Sequence, residues 1–174
     1  MADVPTNVAV SLLCEFIGLY SPVTMSGPGE SAGDIIQKIR NAVGGESWTY
    51  GTGSGKVNQI HVDEVSVGSG ATKNYNTLAA GAHLDVFGNT IDLDELKGLI
   101  IVPLTGSIRI DAPAANILAI FSDATDVINL ASAGVFCMTW GAAGIDVTTN
   151  STFDITETTS AAVATYLIAF WGTS

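Results

Sequence analysis

The sequence after residue 97 consists of short apolar stretches, each of which ends at Gly, Pro, Asn, Asp or Ser. This punctuation is typical of β-strands joined by turns, because these residue types supply the backbone conformations that turns need. The same part of the chain, Gly98–Ser174, contains one basic residue, Arg109, and no histidine. Acid–base and metal chemistry usually needs His, Lys or Cys beside carboxylates, so this half is predicted to be a packed scaffold that presents a surface.

Strand-like stretches continue from residue 46 to the end of the chain, with turns about every eight to twelve residues. A parallel α/β sheet would need helices between its strands, so we expect an all-β fold, a jelly-roll-like antiparallel β-sandwich. One short helical turn is expected at Asp92–Lys97. The expected strands are Ser47–Tyr50, Asn58–Val67, Asn74–Leu78, Leu99–Leu104, Ser107–Asp111, Ile117–Phe121, Val127–Leu130, Val135–Trp140, Ile145–Thr148, Thr152–Thr156 and Val163–Trp171.

The first 45 residues differ from this pattern. Val8–Tyr20 carries apolar side chains on both alternating faces, which predicts a strand covered on both sides. Ser21–Gly33 is rich in Pro and Gly and is typical of a connection. Asp34–Val43 has apolar residues at helical spacing and is followed by two glycines, which predicts one short N-terminal helix. We therefore expect residues 1–45 to form an arm that docks onto a neighbour and residues 46–174 to form the sandwich.

The low content of charged residues predicts burial between subunits. Of the 174 residues, 47% are hydrophobic and only 13% are charged, whereas an average soluble protein has about 25% charged residues. Much of the surface must therefore be uncharged, and assembly of several copies reconciles such a surface with solubility. We expect a homo-oligomer, with a trimer favoured. The net charge of −11 would keep the assembled particles apart.

The charge distribution also argues against nucleic acid and membrane partners. Proteins that bind phosphate backbones concentrate Lys and Arg, whereas the six basic residues here are spread between Lys38 and Arg109. The longest uncharged stretch, Val127–Ile145, is interrupted by Asn and Gly, which favours two strands over a spanning helix. No basic region precedes the apolar N-terminal stretch, so we expect no secretory signal and folding in the cytoplasm.

Two cysteines, Cys14 and Cys137, lie within apolar stretches. Such cysteines are usually buried thiols that act as small hydrophobic side chains, and we expect both to be reduced. Their separation in the sequence says nothing about their distance in space, so the sequence does not decide whether they form a disulfide.

The stretch Gly51–Lys56 has the glycines and the lysine of a phosphate-binding loop, but not the spacing. A Walker A loop would need Gly where Tyr50 stands and Ser or Thr where Val57 stands. A dinucleotide fingerprint would need Gly in place of Lys56 or Asn58. We interpret this stretch as a flexible turn between strands and expect no nucleotide cofactor.

Two His-x-Asp pairs occur, His61 with Asp63 and His83 with Asp85. On a strand, residues two apart share a face, so each pair could present an imidazole beside a carboxylate, and four such ligands could hold zinc. The pairs are well separated, however, and nothing in the sequence forces them together. We therefore interpret them as solvent-facing polar residues on exposed strand faces and expect no metal.

A run of oxygen-bearing side chains offers ligands for calcium but does not have the register of an EF-hand. The run consists of Asp85, Asn89, Asp92, Asp94 and Glu95. Gly88–Asn89 is more simply a turn, and the acidic residues after it can cap a short helical turn. The sequence has no Gly-x-Ser-x-Gly motif, and its context singles out no pair of carboxylates for glycoside hydrolysis. We expect no catalytic residues, no cofactor and no metal ligand, and we predict that the protein is not an enzyme.

The Trp and Tyr side chains suit either a core or a platform on which sugars stack. Core packing is the more common role for such residues, and we favour it for each of them. These residues are Trp48, Trp140, Trp171, Tyr20, Tyr50, Tyr75 and Tyr166.

Several segments together resemble a family of small tailed-phage proteins, in which a Gly-Thr-Gly-x-Gly turn leads into an apolar or aromatic strand with a terminal Asp. The resemblance covers about Gly51 to Gly172. It departs from the family pattern at His61, where an aromatic residue is usual, and at Phe136–Met138. The segments that carry it are Gly51–Asp63, Leu84–Val102, Ala142–Thr148 and Thr165–Gly172.

This resemblance implies a structural protein of a phage virion with a jelly-roll-like sandwich, assembled in the host cytoplasm. The expected function is capsid decoration, in which the chain binds capsid or other virion proteins. A head or tail fibre component is the alternative within this class. A carbohydrate-binding β-sandwich module is the alternative from another class, because sandwiches with exposed aromatic residues often bind glycans. The resemblance implies no catalytic residues.

Overall fold

The computed structural model of the protein describes residues 9–11, 47–76, 83–85, 88–159 and 162–174. The expected helix at Asp34–Val43, the expected connection at Ser21–Gly33 and most of the expected strand at Val8–Tyr20 lie outside these ranges, as does Cys14. The strands are β1 (Ala9–Ser11), β2 (Ser47–Tyr50), β3 (Lys56–Val57), β4 (Gln59–Val67), β5 (Thr72–Asn76), β6 (Glu95–Thr105), β7 (Ile108–Asp111), β8 (Val127–Leu130), β9 (Phe136–Thr139), β10 (Ile145–Asp146), β11 (Thr152–Glu157) and β12 (Ala164–Thr173).

These strands form three sheets, which we call the N-terminal sheet, the five-stranded sheet and the four-stranded sheet. The N-terminal sheet has the order β1-β2-β3, and β2 and β3 are parallel. In the five-stranded sheet, β12 lies between β4 and β6, while β6 also pairs with β9 and with β10. The four-stranded sheet has the order β5-β11-β7-β8. Pairing within the two larger sheets is antiparallel throughout.

The two larger sheets pack face to face and share one hydrophobic core. Alternate residues of the central strands point into it, so that Phe153 and Ile155 of β11 and Ile168 and Phe170 of β12 are all fully buried. The period of two in burial follows from the pleat of a β-strand. The all-β class and the sandwich arrangement predicted from the sequence are thus confirmed, and the described part of the chain contains no helix.

A second, smaller apolar cluster lies on the outer face of the five-stranded sheet. Trp48 and Val57 of the N-terminal sheet pack there against Trp171, with Ile60 and Ile100 beside them. The rings of Trp48 and Trp171 meet edge to face, with centroids 5.6 Å apart. The N-terminal sheet therefore covers one end of this outer face.

Most strands lie within a few residues of their expected positions, but the expectations for Ile117–Phe121, Asp92–Lys97 and Cys137 are wrong. Ile117–Phe121 is not a strand. It turns at the end of the core, where Phe121 N donates to Leu118 O and Leu118 is buried, so its apolar residues cover the core without forming a ladder. Asp92–Lys97 is not helical, because β6 already begins at Glu95. Cys137 is exposed rather than buried, because it lies on the outward face of β9 opposite Ile100.

No helix in the described ranges is long and apolar enough to cross a membrane.

Candidate functional site

The most unusual group of side chains lies between β4 and β5, which are edge strands of the two packed sheets. We call His61, Tyr75, His83, Tyr166 and Phe170 the histidine cluster. His61 belongs to β4 and pairs in register with Phe170 of β12, so that both point inward. Tyr75 comes from β5 and Tyr166 from β12. The cluster therefore joins the edges of both sheets.

His83 reaches the cluster from a short segment, His83–Asp85, that crosses between the two edge strands. Its backbone is tied to the chain that follows, because Ile91 N donates to His83 O at 3.0 Å and Asp85 N donates to Asn89 O at 2.7 Å. The His83 ring stacks on Tyr75, with centroids 5.3 Å apart and planes 13° from parallel. It also meets Phe170 edge to face and lies 5.0 Å from the His61 ring.

Both imidazoles are buried, with 6% of His61 and 9% of His83 exposed. His61 Nδ1 lies 2.9 Å from Leu84 O, and because a carbonyl can only accept, Nδ1 must carry the proton. In the neutral ring, His61 Nε2 is then a bare acceptor. Across the ranges that the structure describes, the Nε2 atoms of both histidines are buried without a hydrogen-bond partner. Such atoms are rare in folded proteins and call for a physical explanation.

The surroundings of His83 keep it neutral. Burial, with added repulsion from His61 and Lys73, lowers the pKa of His83 from its ordinary 6.5 to about 4, and the opposite charge of Asp63 offsets only part of this. Burial keeps the two tyrosines neutral as well, and their hydroxyl oxygens lie 2.8 Å apart in the core. Burial raises the pKa of Tyr75 from 10.0 to about 12 and raises that of Tyr166 further.

The two His-x-Asp pairs therefore meet in space, and their interpretation as solvent-facing imidazoles is wrong for both histidines. They do not form a set of metal ligands. Asp85 uses its carboxylate to accept from Asn89 N at 2.7 Å and from Asn89 Nδ2 at 3.1 Å, and Asp63 is exposed. No group of three or more His, Cys, Asp or Glu residues is placed to hold a metal within the described residues.

Within the described residues, no three carboxylates of the oxygen-bearing run come together in a way that could hold a metal. Asp85 closes the turn at Gly88–Asn89, as expected. The backbone amide of Asp92 donates to Gln59 Oε1, and that of Asp94 donates to Thr173 O. Each of these groups therefore fastens a different part of the fold.

Sequence reasoning missed Lys97, which is fully buried. Its Nζ lies 2.5 Å from Glu95 Oε2, 2.9 Å from Ala142 O and 2.5 Å from Ala143 O. The lysine thus ties β6 to the turn between β9 and β10. A single Lys directly before the apolar run of β6 is the signal that could have indicated this role.

Gly51–Lys56 forms a turn between β2 and β3, as expected. Some of its amides donate to protein carbonyls: Gly51 N to Val57 O, Gly55 N to Ala142 O and Lys56 N to Gly53 O. Gly51, Gly53 and Gly55 all have positive φ, which explains the repeat of glycines without a phosphate.

Most of the Trp and Tyr residues belong to the interior. Trp48, Trp171, Tyr75 and Tyr166 are buried, and Trp140 is partly buried against the core. Tyr20 and the side chain of Tyr50 lie outside the described part. Binding of sugars by stacking needs two exposed aromatic residues on one face, and the aromatic side chains that the structure describes do not provide them.

The exposed apolar side chains include a contiguous group on the outer face of the five-stranded sheet. Val62, Ala169 and Ile100 are neighbours across β4, β12 and β6, and Leu167 and Val102 follow in the next row. Val62 is 58% exposed and Leu167 is 38% exposed. We call these five residues the outer apolar face. It continues directly from the cluster that the N-terminal sheet covers.

The chain matches no protein-family model, and no curated protein or solved structure is significantly similar to it.

Proposed function

We propose that this protein is a structural component of a phage virion, a capsid decoration protein that assembles as a homotrimer and binds capsid subunits. In this proposal the sandwich has a jelly-roll-like topology, and its function lies in its surfaces. Residues 1–45 act as the arm that attaches the trimer to the capsid. The resemblance of Gly51–Gly172 to small tailed-phage proteins supports this class of function.

The outer apolar face is the observation that carries the proposal. In a monomer, Val62 and Leu167 would expose large hydrophobic side chains on the adjacent strands β4 and β12. The chain as a whole has few charged residues that could keep such a face soluble. Contact between copies would bury them, while the acidic residues remain in solvent. A second copy of this chain is therefore the occupant that we assign to this face.

Analytical ultracentrifugation of the full chain at micromolar concentration tests the assembly. We expect a stable trimer, and we expect Val62→Asp combined with Leu167→Asp to weaken self-association at least tenfold, because two carboxylates would have to be buried. Val127→Asp is the matched control, since Val127 is also exposed but lies on β8 of the other sheet. A monomeric wild-type chain, or equal effects of both changes, would overturn the assignment.

Attachment is tested separately by co-sedimentation with phage capsids that lack this protein. We expect the full chain to bind and a chain that begins at residue 46 to remain trimeric without binding. Undiminished attachment of the shortened chain would refute the role of the arm. Absence of binding by the full trimer would refute capsid decoration and leave the assembly result unaffected.

A further inference from the structure

The segment His83–Asp85 is held against the sandwich through the histidine cluster. Leu84 O accepts the hydrogen bond from His61, and the His83 ring packs on Tyr75 and Phe170. Leu84 itself is exposed and pairs with Thr90 in an isolated bridge. The two imidazoles therefore connect this segment to β4, β5 and β12.

Few charges face the His83 imidazole, and together they do not favour a proton on it. From β4 it faces the His61 ring and Asp63, which is exposed, and from β5 it faces Lys73, which is itself positive. Tyr75 and Tyr166 are buried and neutral. Asp85, on the segment itself, is occupied by Asn89. An added proton would place an imidazolium among aromatic rings and beside a second imidazole.

We propose that the His61–His83 pair is a pH-sensitive latch, in which protonation of His83 in mildly acidic solution releases the segment His83–Asp85 from the edges of the two sheets. Release lets the imidazolium reach water, whereas the closed state buries its charge. The pairing of the central strands does not depend on the segment, because β11 and β12 each lie between two other strands. The latch is independent of the proposed role in a virion.

The expected size of the effect follows from the two states of His83. If the open segment restores the ordinary pKa of 6.5 and the closed one keeps a pKa of about 4, the opening equilibrium rises about 50-fold between pH 7 and pH 4.5. The chain contains only two histidines. Their ring signals in a ¹H–¹³C NMR spectrum therefore report directly on the pair.

The test is native-state hydrogen exchange of the full chain, with rates corrected for the intrinsic effect of pH. The informative amides are Asp85 and Ile91, which donate to Asn89 O and His83 O. We expect their protection to fall about 50-fold between pH 7 and pH 4.5 and to lie well below that of Ile155 and Ile168 in the central strands at both pH values. Equal protection of all four amides would mean that the segment opens only with global unfolding and would overturn the latch.

Three variants separate titration from packing. His83→Phe keeps an aromatic ring against Tyr75 but cannot take up a proton, so its segment should keep the same protection at both pH values. His83→Gln serves the same purpose with a neutral polar side chain, should the first variant fold poorly. His61→Phe removes the hydrogen bond to Leu84 O and should reduce protection at both pH values. A wild-type pH response that persists in His83→Phe and His83→Gln would refute the proposal.

Discussion

At the residue scale, the packing of Trp171 depends on the absence of a side chain at Gly98. A Cβ at Gly98 would lie 2.1 Å from Cζ2 of Trp171, whose ring is fixed against Trp48. We expect Gly98→Ala to lower the free energy of unfolding by about 1–3 kcal/mol, as overpacking does elsewhere. Urea unfolding followed by Trp fluorescence measures this. Gly68→Ala is the matched control, because an added Cβ there has no atom within 4 Å. Equal stability of the two variants would contradict the packing argument.

The hydroxyl pair of Tyr75 and Tyr166 makes a second prediction at the same scale. Each hydroxyl is buried and they share one hydrogen bond of 2.8 Å. Tyr75→Phe or Tyr166→Phe alone leaves the other hydroxyl without this partner, which should cost about 1–2 kcal/mol. The double substitution removes both polar groups, so its cost should be clearly less than the sum of the single costs. A double-mutant cycle from urea unfolding measures the difference, and strict additivity would show that the bond contributes nothing.

At the scale of the element, β6 is shaped by an irregularity at Lys97. Trp171 pairs with Gly98 while Gly172 pairs with Leu96, so Lys97 is the extra residue of a bulge. The bulge turns Lys97 toward the carbonyls of the turn at Ala142 and Ala143. This turn leads into β10, which pairs with the first residues of β6.

We therefore expect Lys97→Met to destabilise the protein by about 2–3 kcal/mol, because two carbonyls and the Glu95 carboxylate lose their shared donor. Thermal unfolding measures the loss, and hydrogen exchange should place it first at Ile145 and Asp146 of β10. Lys73→Met is the control, since Lys73 lies exposed on β5. Comparable losses in both variants would argue that Lys97 acts through its general charge rather than through this contact.

The strands differ in how well the sequence predicts their bounds. Ser47–Tyr50 and Val127–Leu130 have the expected bounds, because turn residues flank short apolar runs on both sides. Ile117–Phe121 has the same apolar character, but Ile117 makes only an isolated bridge to Thr152 of β11, so the pattern reflects burial rather than a ladder of paired residues. The start of β6 could not be predicted, because Asp92–Lys97 alternates acidic and apolar residues in a way that fits a capped helical turn as well as a strand.

The sequence indicates the members of the histidine cluster but not that they come together. Each His-x-Asp pair is visible in the sequence, yet their meeting depends on β4 and β5 both lying at the edges of their sheets, which is a property of strand order. Burial of His61 follows from its pairing with Phe170, a residue that lies more than a hundred positions away. Long-range pairing of this kind leaves no local pattern.

At the scale of the whole molecule, three buried side chains at one side of the contact between the two sheets are neutral in the folded state. Burial in this region lowers the pKa of His83 and raises the pKa values of Tyr75 and Tyr166. The folded state should therefore be most stable where all three groups are neutral in both the folded and the unfolded chain, which is between about pH 6.5 and pH 10.

The stability of the whole chain should then fall on both sides of this window. Between pH 6.5 and 4, His83 is protonated in the unfolded chain but not in the folded chain. The free energy of unfolding therefore falls as the pH falls, by up to about 3 kcal/mol. Between pH 10 and 12 the unfolded chain releases the Tyr75 proton that the folded chain keeps, so stability falls as the pH rises, by a similar amount.

Urea unfolding of the wild type and two variants, measured from pH 4 to pH 12, separates the contributions of His83 and the two tyrosines from those of the other titrating residues. His83→Phe should reduce the loss on the acid side and leave the alkaline side unchanged. The double variant Tyr75→Phe, Tyr166→Phe should do the reverse, because it retains His83. If all three proteins gave parallel profiles, the pH dependence would belong to the surface carboxylates and lysines, and the neutral interior between the sheets would not limit stability. If each variant flattened only its own side, both limits would originate at this one contact between β4, β5 and β12.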